Sequence, residues 1–109
     1  MSADVLDRAF DALANSHRRA IVERLAEGPV STPELGQHFG FSKQALSRHL
    51  GVLEQAQLVS KRRHGRTDVL HANLDSLSSV NDWLARRHAA WERSLDRLGE
   101  ALAAHPDDQ

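Results

Sequence analysis

The stretch Ser31-Thr32-Pro33-Glu34-Leu35-Gly36-Gln37-His38-Phe39-Gly40-Phe41-Ser42-Lys43-Gln44-Ala45-Leu46-Ser47-Arg48-His49-Leu50 decides the fold. It opens on Ser31-Thr32-Pro33-Glu34, a capping box with a proline inside the first turn, which is a strong helix start. Gly40 ends that helix at about Phe39, and Ser42 is a second N-cap. The helix after Ser42 is predicted to run from Lys43 to about Ala56, with Leu46, Leu50 and Leu53 as its inner stripe. Two helices joined by a short turn containing glycine form a helix-turn-helix pattern.

At 100° per residue, Leu50 and Leu53 fall within ~40° of Leu46. Gln44, Ser47, Arg48, Gly51 and Gln55 lie on the opposite side. That face offers amide, hydroxyl and guanidinium groups, which suit base edges and phosphates: Gln pairs with adenine, Arg with guanine, Ser with either a phosphate or a base. A plain solvated helix face has the same composition, so this feature alone is not decisive.

Working outward, the segments Leu58 to Arg62 and Val69 to Asn73 are predicted strands, with Arg63-His64-Gly65-Arg66-Thr67 as a hairpin tip. Val30 is a candidate for a further short strand. Upstream, a first helix is expected from Val5 to Ala14 with Leu6, Phe10 and Leu13, and Ala9 beside them, on one stripe, and a second from His17 to Glu27 capped by Asn15 or Ser16. Downstream, Asp75 is the predicted cap of a last helix reaching about Ala104, with Leu77, Val80, Leu84, Trp91, Leu95, Leu98 and Leu102 recurring at threes and fours. Arg87 and His88 interrupt that stripe. Such a helix is about 45 Å long, more than the diameter of a compact body of this size, so part of its stripe calls for a partner from another chain. His105 to Gln109 reads as a frayed tail.

Charge becomes informative only when mapped. The 109 residues carry a net charge of −1. Between positions 43 and 66, however, Lys43, Arg48, Lys61, Arg62, Arg63 and Arg66 face a single acid, Glu54, so this window is +5 and the rest of the chain −6. A polarised chain can bind a polyanion on one face while staying near neutral overall. A basic hairpin following a helix-turn-helix, in that order, is far more specific than either part alone, since such a tip can position the protein on the sugar-phosphate rail.

At these residues the chain resembles the ArsR-type winged-helix repressors. The resemblance is carried by Leu13-Ala14-Asn15-Ser16-His17-Arg18-Arg19-Ala20-Ile21, by Ser42 to Leu50 followed by Leu53, and by the wing His64-Gly65-Arg66. The tail Trp91-Glu92-Arg93-Ser94-Leu95-Asp96-Arg97-Leu98 is similar to a branch of the family that does not sense metals. Together these span roughly Leu6 to Leu102. The resemblance implies a mainly α winged helix-turn-helix of order α-α-α-α-β-β-α, a single domain over 1–109, dimeric through its first and last helices, with 75–104 as the dimerisation helix. It also implies binding to double-stranded DNA at an inverted repeat. The DNA contacts it implies are Ser42, Lys43, Gln44, Ser47, Arg48 and His49, with Arg62, Arg63, His64 and Arg66 of the wing. The dimer contacts are Leu6, Phe10, Leu84, Trp91, Leu95, Leu98 and Leu102.

Several functions are disfavoured. The chain has no cysteine, so disulfides, thiolate metal sites and cysteine nucleophiles are excluded. Metal-sensing relatives carry Cys-x-Cys where this chain has Ser31 and Pro33. His88 and Glu92, with Asp82 ahead of them, are a weak zinc candidate, and no metal or other cofactor is expected. No Gly-rich phosphate loop, nucleophile motif or close carboxylate pair suggests an enzyme. Ser47 and His49 do not face each other on a helix. His17, Arg18 and Arg19 at a helix N-terminus oppose its dipole; either acids, with Asp7 and Asp11 as candidates, or a phosphate compensates them, and the acids are the preferred reading. Trp83 and Trp91 fit core or interface packing. No membrane-spanning or signal segment is present, so a cytoplasmic protein is expected. The rival reading is a dimeric helical protein-interaction module without DNA binding, which explains the long last helix but not the basic hairpin. The sequence points to no particular small-molecule effector.

Overall fold

The computed structural model describes residues 3–104. In chain order the elements are α1 (Ala3–Leu13), α2 (Ser16–Ala26), β1 (Val30–Ser31), α3 (Thr32–Phe39), α4 (Lys43–Gln55), β2 (Val59–His64), β3 (Thr67–Ala72) and α5 (Leu74–Ala104). The expected tail, His105 to Gln109, lies outside the described residues. Contacts divide the chain into two compact units between Ser78 and Ser79, inside α5.

The first unit is built around α2, α3, α4 and the sheet. Ile21, Leu35, Leu53, Leu58 and Leu70 are its largest fully buried side chains. The inner stripe of α4 is as expected, with Leu46, Leu50 and Leu53 all buried. Helix α1 buries Ala9 of its expected stripe together with Ala12, while Val5 and Phe10 are exposed at 44% and 36%. Small side chains allow a helix to approach its neighbours closely, and here that leaves larger apolar groups facing outward.

Caps set the helix boundaries. The Asn15 side chain accepts from the amides of His17 and Arg18, Ser31 Oγ accepts from Glu34 N, and Ser42 Oγ accepts from Ala45 N at 3.1 Å. Each satisfies an amide that the first helical turn leaves without a partner. Gly40 closes α3 in the left-handed region at φ 68°, where a side chain would be strained. The predicted cap of the last helix was Asp75. The helix in fact begins at Leu74, and Asn73 Oδ1 accepts from Ser76 N at 3.4 Å. Asn competes equally well for a cap position, and here it comes first.

The expected basic-acid pairs at the start of α2 are replaced by another arrangement. Arg18 Nε donates to Ala12 O at 2.6 Å and its Nη2 to Asp11 O at 2.9 Å. Arg19 Nη1 donates to Leu13 O at 2.8 Å. The guanidinium groups thus take carbonyls at the C-terminus of α1, where a helix dipole favours positive charge; of these, Asp11 O also accepts from Ala14 N at 3.2 Å. The acidic side chains of Asp7 and Asp11 were the wrong partners; the main chain beside Asp11 was the right one.

The sheet is antiparallel with strand order β1-β3-β2. Val30 pairs with Leu70 and Ser31 with Val69, so the short strand joins the hairpin's central strand. The hairpin strands extend farther toward the tip than expected. His64 pairs with Thr67, leaving only Gly65-Arg66 as the turn. Gly65 has φ 62°, as a tight hairpin turn with glycine at its first central position requires.

Candidate nucleic-acid interface

The second helix of the helix-turn-helix is α4. Ser42, Lys43, Gln44, Ser47 and Arg48 are all exposed, while the leucines beneath them are buried. Packing therefore holds the polar face outward. His49 does not join it. Its ring centroid lies 5.7 Å from that of His17 and 5.5 Å from that of Phe41, and Phe41 in turn stacks on Phe39 at 5.4 Å. This cluster ties the start of α2, the turn between α3 and α4, and the middle of α4. Burial lowers the His49 pKa from 6.5, with Arg18, His17 and Arg48 adding to the effect. His49 is therefore favoured as a neutral packing group. Residues 17, 41 and 49 are far apart in sequence, and no spacing rule announces that they meet.

In the wing, Lys61, Arg62, Arg63, His64 and Arg66 are all exposed. Successive side chains on a strand alternate faces, so both sides of the ribbon carry positive charge. Not all of it is unengaged. Arg63 Nη1 lies 3.3 Å from Asp68 Oδ1, and Arg63 Nε donates to Gly65 O at 3.3 Å. Lys61 Nζ lies 3.6 Å from Glu54 Oε1, so the one acid of the basic window sits against a wing lysine. Arg62 and Arg66 have no ion pair among the described residues.

The second unit holds the rest of α5. From Trp91 to Ala104 every residue is exposed, including Trp91 at 64%, Leu95 at 49%, Leu98 at 56% and Leu102 at 49%; Leu84 is exposed at 46%. His88 Nε2 lies 3.1 Å from Glu92 Oε1, an ordinary contact one helical turn apart. Trp83 carries the Arg87 guanidinium 5.4 Å from its ring centre. Among the described residues, no three of His, Asp and Glu converge as a metal-binding set, and no helix is long and apolar enough to cross a membrane.

A helix-turn-helix domain family matches residues 13–62, from the end of α1 through α4 into β2. The HTH-type transcriptional regulator Rv2034 of Mycobacterium tuberculosis is 39% identical over 102 residues, 94% of this chain and 92% of that protein. The chain belongs to the ArsR-type helix-turn-helix transcriptional regulators. The transcriptional repressor SdpR of Bacillus subtilis is 29% identical over 72% of this chain and 88% of its own. Among solved structures, an ArsR-like transcriptional regulator from Rhodococcus sp. RHA1 superposes with a TM-score of 0.79 at 28% identity, covering 90% of this chain and 92% of that one. As a member of this family the chain is a DNA-binding transcriptional regulator and not an enzyme, with the winged fold that its sequence resemblance implied.

Proposed function

We propose that this regulator is a cytoplasmic homodimeric repressor that binds an inverted-repeat operator. The observation that carries the proposal is the set of exposed basic side chains that α4 and the wing present together. In this reading Gln44, Ser47 and Arg48 read base edges in the major groove. Ser42, Lys43, Arg62, His64 and Arg66 hold the sugar-phosphate backbone, with Arg63 sharing its charge between Asp68 and DNA. His49 supports α4 from behind. The apolar residues of α1 and α5 left in solvent, Phe10, Leu84, Trp91, Leu95, Leu98 and Leu102, together with half-buried Leu6 of α1, form the contact between two copies. Two recognition helices then enter successive major grooves ~34 Å apart. Repression follows the named repressors among the relatives. Lacking cysteine, this chain has no thiolate route to the metal response of family members that carry Cys-x-Cys.

Operators selected from a random duplex pool provide the test. Arg48→Ala is expected to lose about 1–3 kcal/mol of affinity and to relax preference at one base pair. Arg66→Ala is expected to weaken all sequences alike and to reduce the slope of log affinity against log salt by about 1. Binding indistinguishable from the parent in both variants would remove this surface as the DNA interface.

A further inference from the structure

Beside α4, the side chains of α3, α4 and the start of the wing flank a half-open cleft of about 670 Å³. This is within the usual size of small-molecule sites. Pro33, Phe41, Leu46 and Leu50 line it with apolar surface. Two polar atoms of lining residues are shielded from solvent yet lack a hydrogen-bond partner among the described residues: Thr32 Oγ1 and Glu54 Oε1. Lys61 is the nearest cation to Glu54, at 3.6 Å, which is too long for a hydrogen bond. Thr32 Oγ1 is thus without a partner and Glu54 Oε1 has only its long ion pair with Lys61; shielded polar atoms so placed are rare in folded proteins and call for an explanation.

We propose that this cleft binds a small apolar zwitterion, of the aromatic amino-acid type. Glu54 Oε1 is an acceptor and Thr32 Oγ1 can accept or donate, so a ligand ammonium satisfies the first and can be shared with the second. Lys43 and Lys61 also line the cleft, and a ligand carboxylate balances them. The apolar lining takes the ring. A DNA phosphate fits poorly here, because it would face the Glu54 carboxylate across apolar surface. Lys43 and Ser47 belong both to the cleft and to the DNA contacts proposed above. An occupied cleft therefore competes with DNA, and this second half rests on that DNA assignment.

The test titrates L-phenylalanine into ¹⁵N-labelled protein without DNA, alongside phenethylamine and 3-phenylpropionate. Saturable shifts at the amides of Thr32, Gly36 and Gly51 are expected, with each single-charge analogue weaker by about tenfold or more, the size of one charge-assisted hydrogen bond. Glu54→Gln should weaken L-phenylalanine similarly. Gly51→Leu should abolish binding by filling the cleft; a Cβ at Gly51 meets nothing within 4 Å, so the helix accepts it. No saturable shift at these amides, or equal affinity for the three probes, or no effect of either variant, would overturn the site. A second titration measures binding to a selected operator with and without saturating L-phenylalanine. About tenfold weaker DNA binding in the parent and none in Glu54→Gln is expected. Unchanged DNA affinity with a filled cleft would overturn the competition alone, whereas absence of DNA binding in ligand-free protein would overturn the DNA assignment and leave the site standing.

Discussion

Gln57 has φ 60°, the only non-glycine residue in the left-handed region among those described. It ends α4. Leu58 N donates to Leu53 O at 3.0 Å and Gln57 N to Glu54 O at 2.9 Å, which is the hydrogen-bond pattern of a Schellman motif normally closed by glycine. The left-handed conformation costs a side chain about 1 kcal/mol, so Gln57→Gly is expected to raise the unfolding free energy by up to about 1 kcal/mol, less the entropy glycine adds to the unfolded chain. Urea denaturation measures it; a loss of stability would mean that the Gln57 side chain contributes more than its strain. His49 provides a pH-dependent counterpart. Its lowered pKa means that the unfolded chain takes up a proton near pH 6.5 while the folded chain resists until lower pH. This residue's contribution to stability is therefore complete above pH 6.5 and is lost as pH falls through the folded value. Denaturation at pH 7 and pH 5 should show a smaller acid loss in His49→Gln than in the parent. Equal losses would place the acid sensitivity elsewhere.

At the scale of elements, α5 carries a pattern finer than an apolar stripe. Leu84, Trp91, Leu95, Leu98 and Leu102 follow the alternating four-three spacing of a helix-helix seam, and His88 occupies the one place in that alternation that is not apolar. A polar group in a seam lowers stability and fixes register. In the proposed dimer, His88→Leu is expected to strengthen association by about 1–2 kcal/mol, read as a lower dissociation concentration in sedimentation. Unchanged association would take His88 out of the seam. The wing ribbon behaves oppositely, because its distal half buries little. Val59 is buried, but Lys61 to Thr67 are exposed throughout, so its geometry comes from the β2–β3 ladder and the turn at Gly65 rather than from packing.

For the whole molecule, association and DNA affinity should stand or fall together. Replacing Leu95 and Leu98 with glutamate is expected to give a monomer on a sizing column, with operator affinity reduced by the loss of the second half-site. A variant that elutes as the parent would show that α5 does not join the copies. Much of this organisation was legible in the sequence because its signals are local. Ser31, Ser42, Gly40 and Gly65 act within four residues of themselves, and the leucines of α4 announce their face by period alone. The illegible parts depend on distant residues. Arg18 takes main-chain oxygens, which carry no sequence signal. His17, Phe41 and His49 meet only once the helices pack. The cleft beside α4 exists only after the wing folds back against it, and nothing in the spacing ranks Ala9 and Ala12 of α1 above the larger Phe10 as the residues it buries.

One residue joins the two halves of the interface. Ser31 caps α3 with its side chain and belongs to the ladder that pairs it with Val69 of the wing's central strand. The hairpin and the helix-turn-helix are thus stitched by main-chain bonds that no side-chain substitution at the tip removes. Between Lys61 and Thr67 the side chains are exposed, and apart from Gly65, whose φ of 62° makes the turn, and Lys61, which meets Glu54, their chemistry can be rewritten without disturbing the spacing between wing and α4. In the proposed complex that separates two tasks on which selection acts: the gauge is inherited through the backbone, while the tip is where a descendant can change how tightly it grips the sugar-phosphate rail.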